Sequence, residues 1–515
     1  MTKPITRFLA VLSIAVIGLA GVNCFAASGV LVNAVGSTGA FNAFALAADG
    51  VTNPGSECGT NIWTKKSGGS GIDNRGTNIP ANTGNIWIVW NSNMTVVCSY
   101  LAVDSVIGQQ LFMAVPRGSL SISSSFVGSS GDDLVATLTD VPLPQTIYNL
   151  INNQVFNCAP TDIRPEDALF EANRVLAPLD TVHYNGLGYG PGPIGTTILS
   201  SQSSKSVTPV AYAISGTDPI TGGTVASWKA IDVGAQAVMV FVNTTDTGSG
   251  GLGSAAVQNV SRWELAEVLN GSLTRTRDII PQAGLPAIGL HTFLREPTSG
   301  TYTTMEFSVP RDVEINSTQE LNVNPAVNNP LNISYASGGT RQRVVGTGEM
   351  VSTVGATTDS IGYAFWSTTN FAKVTSTTKY VTVDGADPLF PIYVGGTFPT
   401  CSAPCPGLIP FTNVLNGGYP LWNVLRVTVP TAAPAAVLTL ITQAQSQVAN
   451  IPDFVAFSSL QVFRAHYTQS GKVGADGFAT GTHESGGDVG GAVFTIQADL
   501  DFFTDTGKEI VSLKQ

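Results

Sequence analysis

The chain has 515 residues, of which only 11% are charged, and its formal net charge is −11. This length is more than one hydrophobic core usually serves, so two or three domains are expected. An acidic chain without a Lys/Arg cluster lacks the basic face that binding to a nucleic-acid backbone requires, which excludes nucleic acid as a partner.

The first 26 residues have the pattern of a secretory signal peptide. Lys3 and Arg7 precede an uncharged apolar stretch over residues 8–22, and the small residues that follow predict cleavage before Ala27. The alternative is a retained membrane anchor, but the stretch is shorter than the roughly 20 residues of a spanning helix. We therefore expect an exported protein, periplasmic or extracellular.

The first half of the mature chain is predicted to contain three strands and a helix. Gly29 to Asn33 alternates like a strand, and Asn85 to Trp90 and Thr95 to Val103 are rich in aromatic and β-branched residues. Gln145 to Asn153 has apolar residues at helical spacing. Asp162 to Ala172 has the pattern of a helix start.

From about residue 230, strands and helices alternate. Ala237 to Val242 is a continuous apolar run, typical of a strand that is buried on both faces. Arg262 to Leu269 has helical spacing and ends at Gly271. Pro286 to Leu294 is predicted to be another buried strand. This alternation indicates an α/β architecture with a mainly parallel or mixed sheet.

Five of the six cysteines remain after the predicted cleavage, and disulfides are the expected state of exported cysteines. Cys58 and Cys98 flank an extra segment, and Cys401 and Cys405 can close a Pro/Gly-rich loop. Cys158, in an apolar run, is then left as a buried free thiol. A zinc site is the alternative, but there is no second close cysteine pair and the four histidines are scattered.

The most informative segment runs from Leu294 to Thr304 and contains Arg295, Ser299, Gly300 and Thr301. Small hydroxyl residues and glycine at a helix start leave N–H groups that can bind an anion. The planar guanidinium of Arg295 matches carboxylate or phosphate oxygens. The alternative is ordinary N-capping by Ser299 or Thr301, with Arg295 in a surface ion pair.

The order strand, Arg-x-x-x-Ser-Gly-Thr, helix resembles the phosphate-holding motif of the phosphate-binding proteins that serve phosphate ABC transporters. Gly36-Ser-Thr-Gly-Ala-Phe41 resembles the glycine-rich turn of that family, and Gln154 to Asp162 resembles its strand that ends in Ser-Asp. Ser360 to Phe365 and Gly418 to Leu421 keep the order of its later landmarks. No segment matches the family's second loop of serines and glycines before a helix.

The resemblance covers most of residues 30–460 and implies a two-lobed, type II periplasmic-binding-protein fold. The implied domains are a signal peptide (1–26), a first lobe (27–242) with a β-rich insert at about 50–135, a second lobe (243–365) and a return to the first lobe (366–515). It also implies that one inter-lobe cleft binds a small anion, with phosphate as the expected ligand. The implied ligand-binding residues are Ala40, Phe41, Asp162, Arg295, Ser299, Gly300 and Thr301.

Asp162 carries a chemical expectation of its own. A buried carboxylate can accept the proton of monohydrogen phosphate, whereas sulfate has no proton to give, so Asp162 would select between the two anions. The alternatives are that Asp162 caps a helix, or that Arg164 neutralises it.

A solute-binding protein without catalysis, metal or cofactor is the function that these features favour. No Gly-x-Ser-x-Gly elbow and no His-Glu-x-x-His motif is present. Gly248 to Gly253 fits a dinucleotide pattern, but Thr244 to Thr247 separate it from the preceding strand. An ABC transporter membrane component is a candidate partner. The alternative function is an extracellular structural or adhesive protein that keeps the fold, with its β-rich insert and a loop over 183–193 as binding surfaces.

Overall fold

The computed structural model describes most of the chain between residues 29 and 461. The described residues are 29–66, 78–80, 84–135, 137–165, 167, 168, 171, 227–254, 257–280, 282–296, 298–310, 319, 332–344, 346–400 and 409–461. The predicted signal peptide (1–26), the loop over 183–193, and Cys401 with Cys405 lie outside these ranges. The described part is a mixed α/β structure, so the predicted alternation of strands and helices is confirmed.

The strands are short, apart from one of 16 residues. They are β1 (Val30–Gly36), β2 (Asn61–Lys65), β3 (Asn78–Pro80), β4 (Asn85–Trp90), β5 (Val97–Ala102), β6 (Ser119–Ser121), β7 (Ala159–Thr161), β8 (Trp228–Asn243), β9 (Asn259–Val260), β10 (His291–Arg295), β11 (Asn332–Ser334), β12 (Thr340–Val344), β13 (Ser360–Phe365), β14 (Thr378–Val383), β15 (Trp422–Pro430) and β16 (Val455–Ala456).

The α-helices within the described ranges lie between the strands in chain order. They are α1 (Phe41–Ala48), α2 (Ser105–Met113), α3 (Gln145–Ile151), α4 (Arg262–Asn270), α5 (Gly300–Ser308), α6 (Thr347–Ala356), α7 (Thr368–Phe371), α8 (Thr412–Leu415) and α9 (Ala435–Val448). No helix in this part of the chain is both long enough and apolar enough to cross a membrane.

The first sheet has four strands in the order β1-β5-β4-β2. β5 is parallel to β1, and β4 is antiparallel to both β5 and β2. A disulfide joins Cys58 to Cys98 on β5, which confirms that predicted pair, and Cys158 is a buried free thiol, as predicted. Because β2, β4 and β5 form one sheet with β1, a separate insert over 50–135 stays a prediction.

The second sheet has ten strands, of which seven follow the order β11-β12-β10-β13-β8-β14-β9. β10 is parallel to β12 and β13, whereas β8 is antiparallel to β13 and β14. The first part of β8, from Trp228 to Ala237, pairs with β15, and β7 and β16 complete the sheet. A shift of register between Leu425 and Arg426 of β15 marks a bulge in this pairing.

Two hydrophobic cores cover the two faces of the first sheet, since alternate residues of a strand point to opposite sides. Val35 lies in one of them and Ala34 in the other. A third core surrounds the second sheet and contains both Phe365 and Tyr380, on either side of the predicted boundary at residue 366. The predicted division into lobes stays a prediction.

Several predicted elements agree with the structure in detail. β4 has the predicted bounds, and α4 begins with a capping box in which Ser261 and Glu264 bond each other's backbone N–H at 3.1 and 2.8 Å. Gly271 follows with φ of 86°, a conformation that favours glycine. The strand predicted over 286–294 is instead β10 from His291, because residues 286–290 form a loop that includes a proline without an N–H.

Candidate functional site

The arginine motif places Arg295 at the end of β10 and Ser299 directly before α5. The Oγ of Ser299 accepts a hydrogen bond from the N–H of Thr301 at 3.2 Å, so ordinary N-capping is confirmed for Ser299. Arg295 is 0% exposed. The alternative of a surface ion pair is therefore wrong for Arg295.

Acceptors surround the guanidinium of Arg295. Nη2 donates to Oε1 of Glu296 at 2.9 Å, and Nε donates to Oε2 of the same carboxylate at 3.4 Å. Nη1 donates to the hydroxyls of Thr301 at 3.2 Å and Thr347 at 3.3 Å. Oδ1 of Asp104 lies 3.6 Å from Nη2. Arg295 thus links β10 to the starts of α5 and α6 and to the residue before α2.

Asp162 directly follows β7 and lies 3% exposed against the same cluster. Its carboxylate accepts a hydrogen bond from the Ser105 hydroxyl, and its own N–H donates to that oxygen at 3.3 Å. A Cβ at position 300 would clash with the Asp162 carboxylate, so Gly300 permits this contact. The hydroxyl of Ser37, in the turn before α1, lies close to Asp162 and favours its ionised form, which lowers the pKa.

Three buried carboxyl groups lie around the guanidinium of Arg295, and burial is the largest influence on the pKa of each of them. Burial raises the pKa of Asp162 to about 7, against the lowering effects of a backbone hydrogen bond and the Arg295 charge. Burial, and then the charge of Glu296, raise the pKa of Asp104 well above its usual value. The pKa of Glu296 is raised by burial despite Arg295. Burial therefore opposes the ionisation of all three carboxyl groups, and near neutral pH Asp162 is partly protonated and can then donate a hydrogen bond.

A cleft of about 680 Å³ lies beside this cluster. One wall is lined by Thr38 and Gly39 in the turn before α1 and by Phe41 and Asn42 in its first turn, and the start of α6 lines another wall, from Gly346 to Glu349. Thr347 belongs to that wall and accepts the hydrogen bond from Arg295, so it connects the cluster to the cleft. Four buried aromatic side chains also line the cleft: Phe41, Phe365, Trp366 and Phe454.

The predicted ligand residues thus divide into two groups. Phe41 lines the cleft, with its carbonyl oxygen accepting a hydrogen bond from the Trp87 indole at 3.2 Å, and the buried Ala40 precedes it as the N-cap of α1. The others lie behind the cleft wall in one connected cluster, namely Asp162, Arg295, Ser299, Gly300 and Thr301. Their role in binding a ligand stays a prediction.

Sequence reasoning missed four residues of the cluster. Asp104 directly precedes α2 and Ser105 begins it, shortly after β5, and this small polar pair between an apolar strand and a helix was an available signal. Glu296 follows Arg295 in the chain, so its acidic side chain was also visible. Thr347 carried no comparable signal, because its place beside Arg295 depends on how α6 packs.

The described ranges contain no group of three or more His, Cys, Asp or Glu side chains arranged to hold a metal ion. The carboxyl groups of the cluster instead face the guanidinium and hydroxyl groups. This set of donors and acceptors can bind a polar group through hydrogen bonds and charge.

Three solved structures are distantly similar to this chain. The high-affinity periplasmic phosphate-binding protein PfluDING, solved with bound phosphate, is 12% identical, with 82% of this chain and 90% of that chain covered and a TM-score of 0.34. A phosphate-binding protein from Stenotrophomonas maltophilia is 11% identical, with 68% and 86% covered and a TM-score of 0.29. An ABC-type phosphate transport receptor from Vibrio cholerae is 13% identical, with 44% and 72% covered and a TM-score of 0.27. No protein-family model and no curated protein matches the sequence.

Proposed function

We propose that this chain is an exported solute-binding protein that takes a small anion, phosphate in particular, in the cleft beside Arg295. The observation that carries the proposal is the position of this buried guanidinium. Arg295 contacts Thr301 at the start of α5 and Thr347 at the start of α6, and Thr347 lines the cleft. A guanidinium near several helix starts favours an anion, because the N–H groups at a helix N-terminus carry partial positive charge.

Asp162 supports phosphate over sulfate. With its pKa raised by burial to about 7, the carboxyl exchanges its proton near neutral pH. In its ionised form it can accept the proton of monohydrogen phosphate, and in its protonated form it can donate to a phosphate oxygen. Sulfate has no proton to share, so we expect it to bind more weakly.

The proposal includes two lobes that close on the anion. Its candidate partner is an ABC transporter membrane component. In such a design the lobes meet at the cleft, and closure excludes water from the bound anion. The walls of the cleft support this arrangement, because one is lined by residues 38, 39, 41 and 42 and the other by residues 346–349, far apart in the sequence.

Calorimetry on the mature protein, residues 27–515, with phosphate and sulfate at pH 7 tests the proposal. Arg295→Lys should weaken phosphate binding by about tenfold or more, because it loses the planar fork of donors. Arg262→Lys is the matched control, since Arg262 forms an ion pair with Asp384 at 2.6 Å on the surface and should leave binding unchanged. If neither anion binds the wild type at millimolar concentration, the proposal is wrong.

One observation favours the alternative, an extracellular structural or adhesive protein on the same fold. Arg295 already has a carboxylate partner in Glu296 at 2.9 Å, which partly neutralises the charge that an anion would need. In that case the cluster only stabilises the interior, and Arg295→Lys would lower the free energy of unfolding without any anion affinity to lose.

A further inference from the structure

The cleft is much larger than the ion proposed for it. A phosphate ion takes up about the space of two to three waters, roughly 60–90 Å³. The cleft has about 680 Å³, within the range of roughly 300–1,000 Å³ that is typical of sites for organic molecules. A phosphate group at the Arg295 end would leave most of this volume to other atoms of the ligand.

Gln236, on β8, has a buried amide oxygen without a hydrogen-bond partner at the wall of the cleft. Its side chain is 3% exposed and lines the cleft. Nε2 donates to the carbonyl of Trp366 at 2.9 Å, which fixes the orientation of the amide, and Oε1 has no hydrogen-bond partner among the described residues. A Cβ added to Gly39 would lie 2.8 Å from Oε1, so this oxygen faces the turn before α1. Phosphate oxygens are mainly acceptors and do not suit this position, whereas a hydroxyl group does.

The rest of the lining fits a neutral polar molecule with apolar faces. The charges on the wall balance, with Lys66 and Lys373 against Glu349 and Asp453. Asparagine, serine and threonine side chains lie among the aromatic residues: Asn42, Asn85, Asn370, Ser352 and Thr369. A sugar ring has hydroxyl groups at its edge and C–H groups on its faces, which match amide and aromatic side chains respectively.

We infer that the cleft takes a sugar phosphate rather than the free ion alone. The phosphate group lies toward the starts of α1 and α6, and neither helix has a side-chain cap on its first N–H groups. At the start of α6, Thr347 also contacts Arg295. The hydroxyl groups of the sugar lie toward Gln236 and the amides of the wall. This inference rests on the proposed function for its anion end and adds the chemical class of the whole ligand.

Calorimetry with inorganic phosphate, glucose 6-phosphate and glucose, on the mature protein at one pH and salt concentration, tests the inference. We expect glucose 6-phosphate to bind about tenfold or more tightly than inorganic phosphate, and glucose alone to bind most weakly. Inorganic phosphate binding as tightly as the ester would overturn the inference and leave the proposed function intact. Glucose binding as tightly as the ester would also overturn it. If no phosphate compound binds, both the proposed function and the inference fail.

Two variants locate the sugar contact. Gln236→Leu should weaken glucose 6-phosphate binding by about tenfold or more and leave inorganic phosphate binding unchanged. Gln109→Leu is the matched control, because Gln109 is also a buried amide whose Nε2 donates, to Thr428 at 2.8 Å, but it does not line the cleft. Both variants lose a buried amide, so thermal unfolding of each shows whether it is folded. If folded Gln236→Leu weakens binding of the two ligands equally, the proposed sugar contact is wrong. If Gln236→Leu does not fold, Gly39→Ala replaces it, because the added Cβ would lie 2.8 Å from Oε1 of Gln236. Unchanged binding of the ester by Gly39→Ala would then contradict the contact.

Discussion

Replacing Asp162 by asparagine should change how the stability of the protein depends on pH. The Asp162 carboxyl is 3% exposed and lies against Ser105 and Gly300, and burial raises its pKa to about 7. In the unfolded chain an aspartate has a pKa of about 3.9. Asparagine has the same shape and, like the protonated acid, no charge, so Asp162→Asn removes the titration while keeping the packing.

The sign and the size of the effect follow from the two pKa values. Between pH 4 and pH 7 the folded protein binds more protons at Asp162 than the unfolded chain does, so the free energy of unfolding falls as the pH rises. From pH 5 to pH 7 this one group should account for a loss of about 2 kcal/mol in the wild type. Asp104 and Glu296, whose pKa values are also raised, act in the same direction and remain in the variant.

Urea unfolding of the wild type and Asp162→Asn at pH 5 and pH 7 measures the effect. The loss of unfolding free energy between these pH values should be about 2 kcal/mol smaller in the variant. Asp384→Asn, at the surface ion pair with Arg262, controls for the general effect of adding an amide. If the wild type and Asp162→Asn lose the same free energy, Asp162 does not titrate as its burial implies.

Glu296→Gln removes the carboxylate that faces Arg295 and should raise phosphate affinity by about tenfold, measured by calorimetry; unchanged affinity would indicate that Arg295 does not face the anion. Cys58→Ser removes the disulfide to Cys98, which spans 40 positions, and should lower the free energy of unfolding in urea by about 4 kcal/mol, so a loss below about 1 kcal/mol would contradict this role. Cys158, whose pKa burial raises to about 12, should not react with a thiol reagent at pH 8 in the folded protein. The unfolded, unreduced mature chain should show one reactive thiol, and three would mean that Cys401 and Cys405 are reduced.

Local patterns predicted the elements whose signals are contained in a few residues. The aromatic and β-branched run over 85–90 is β4, and the Ser261 capping box with Gly271 delimits α4. The strand β8 was predicted only over 237–242, because the preceding residues from 228 mix charged and apolar side chains. Their strand conformation comes from pairing with β15, almost 200 positions later, which no local pattern contains.

The sequence predicted the local part of the candidate site but not the contacts between distant segments. The arginine motif indicated that Arg295 and Ser299 stand at the start of a helix, which a short pattern can encode. The burial of Arg295 and its contact with Thr347 depend on the packing of α6, which begins 52 positions later. The raised pKa of Asp162 likewise depends on burial, a property of the assembled fold.

The long strand β8 also makes the folding of the two sheets a single event. Val233 packs in one of the cores of the first sheet, and Ala235 packs in the core of the second sheet, so one unbroken strand contributes to both. Its hydrogen bonds to β15 and to β13 belong to the same backbone. Cutting the chain near residue 234 would divide β8 between two fragments, and each core would lose strand residues that it needs. Neither fragment would therefore fold independently.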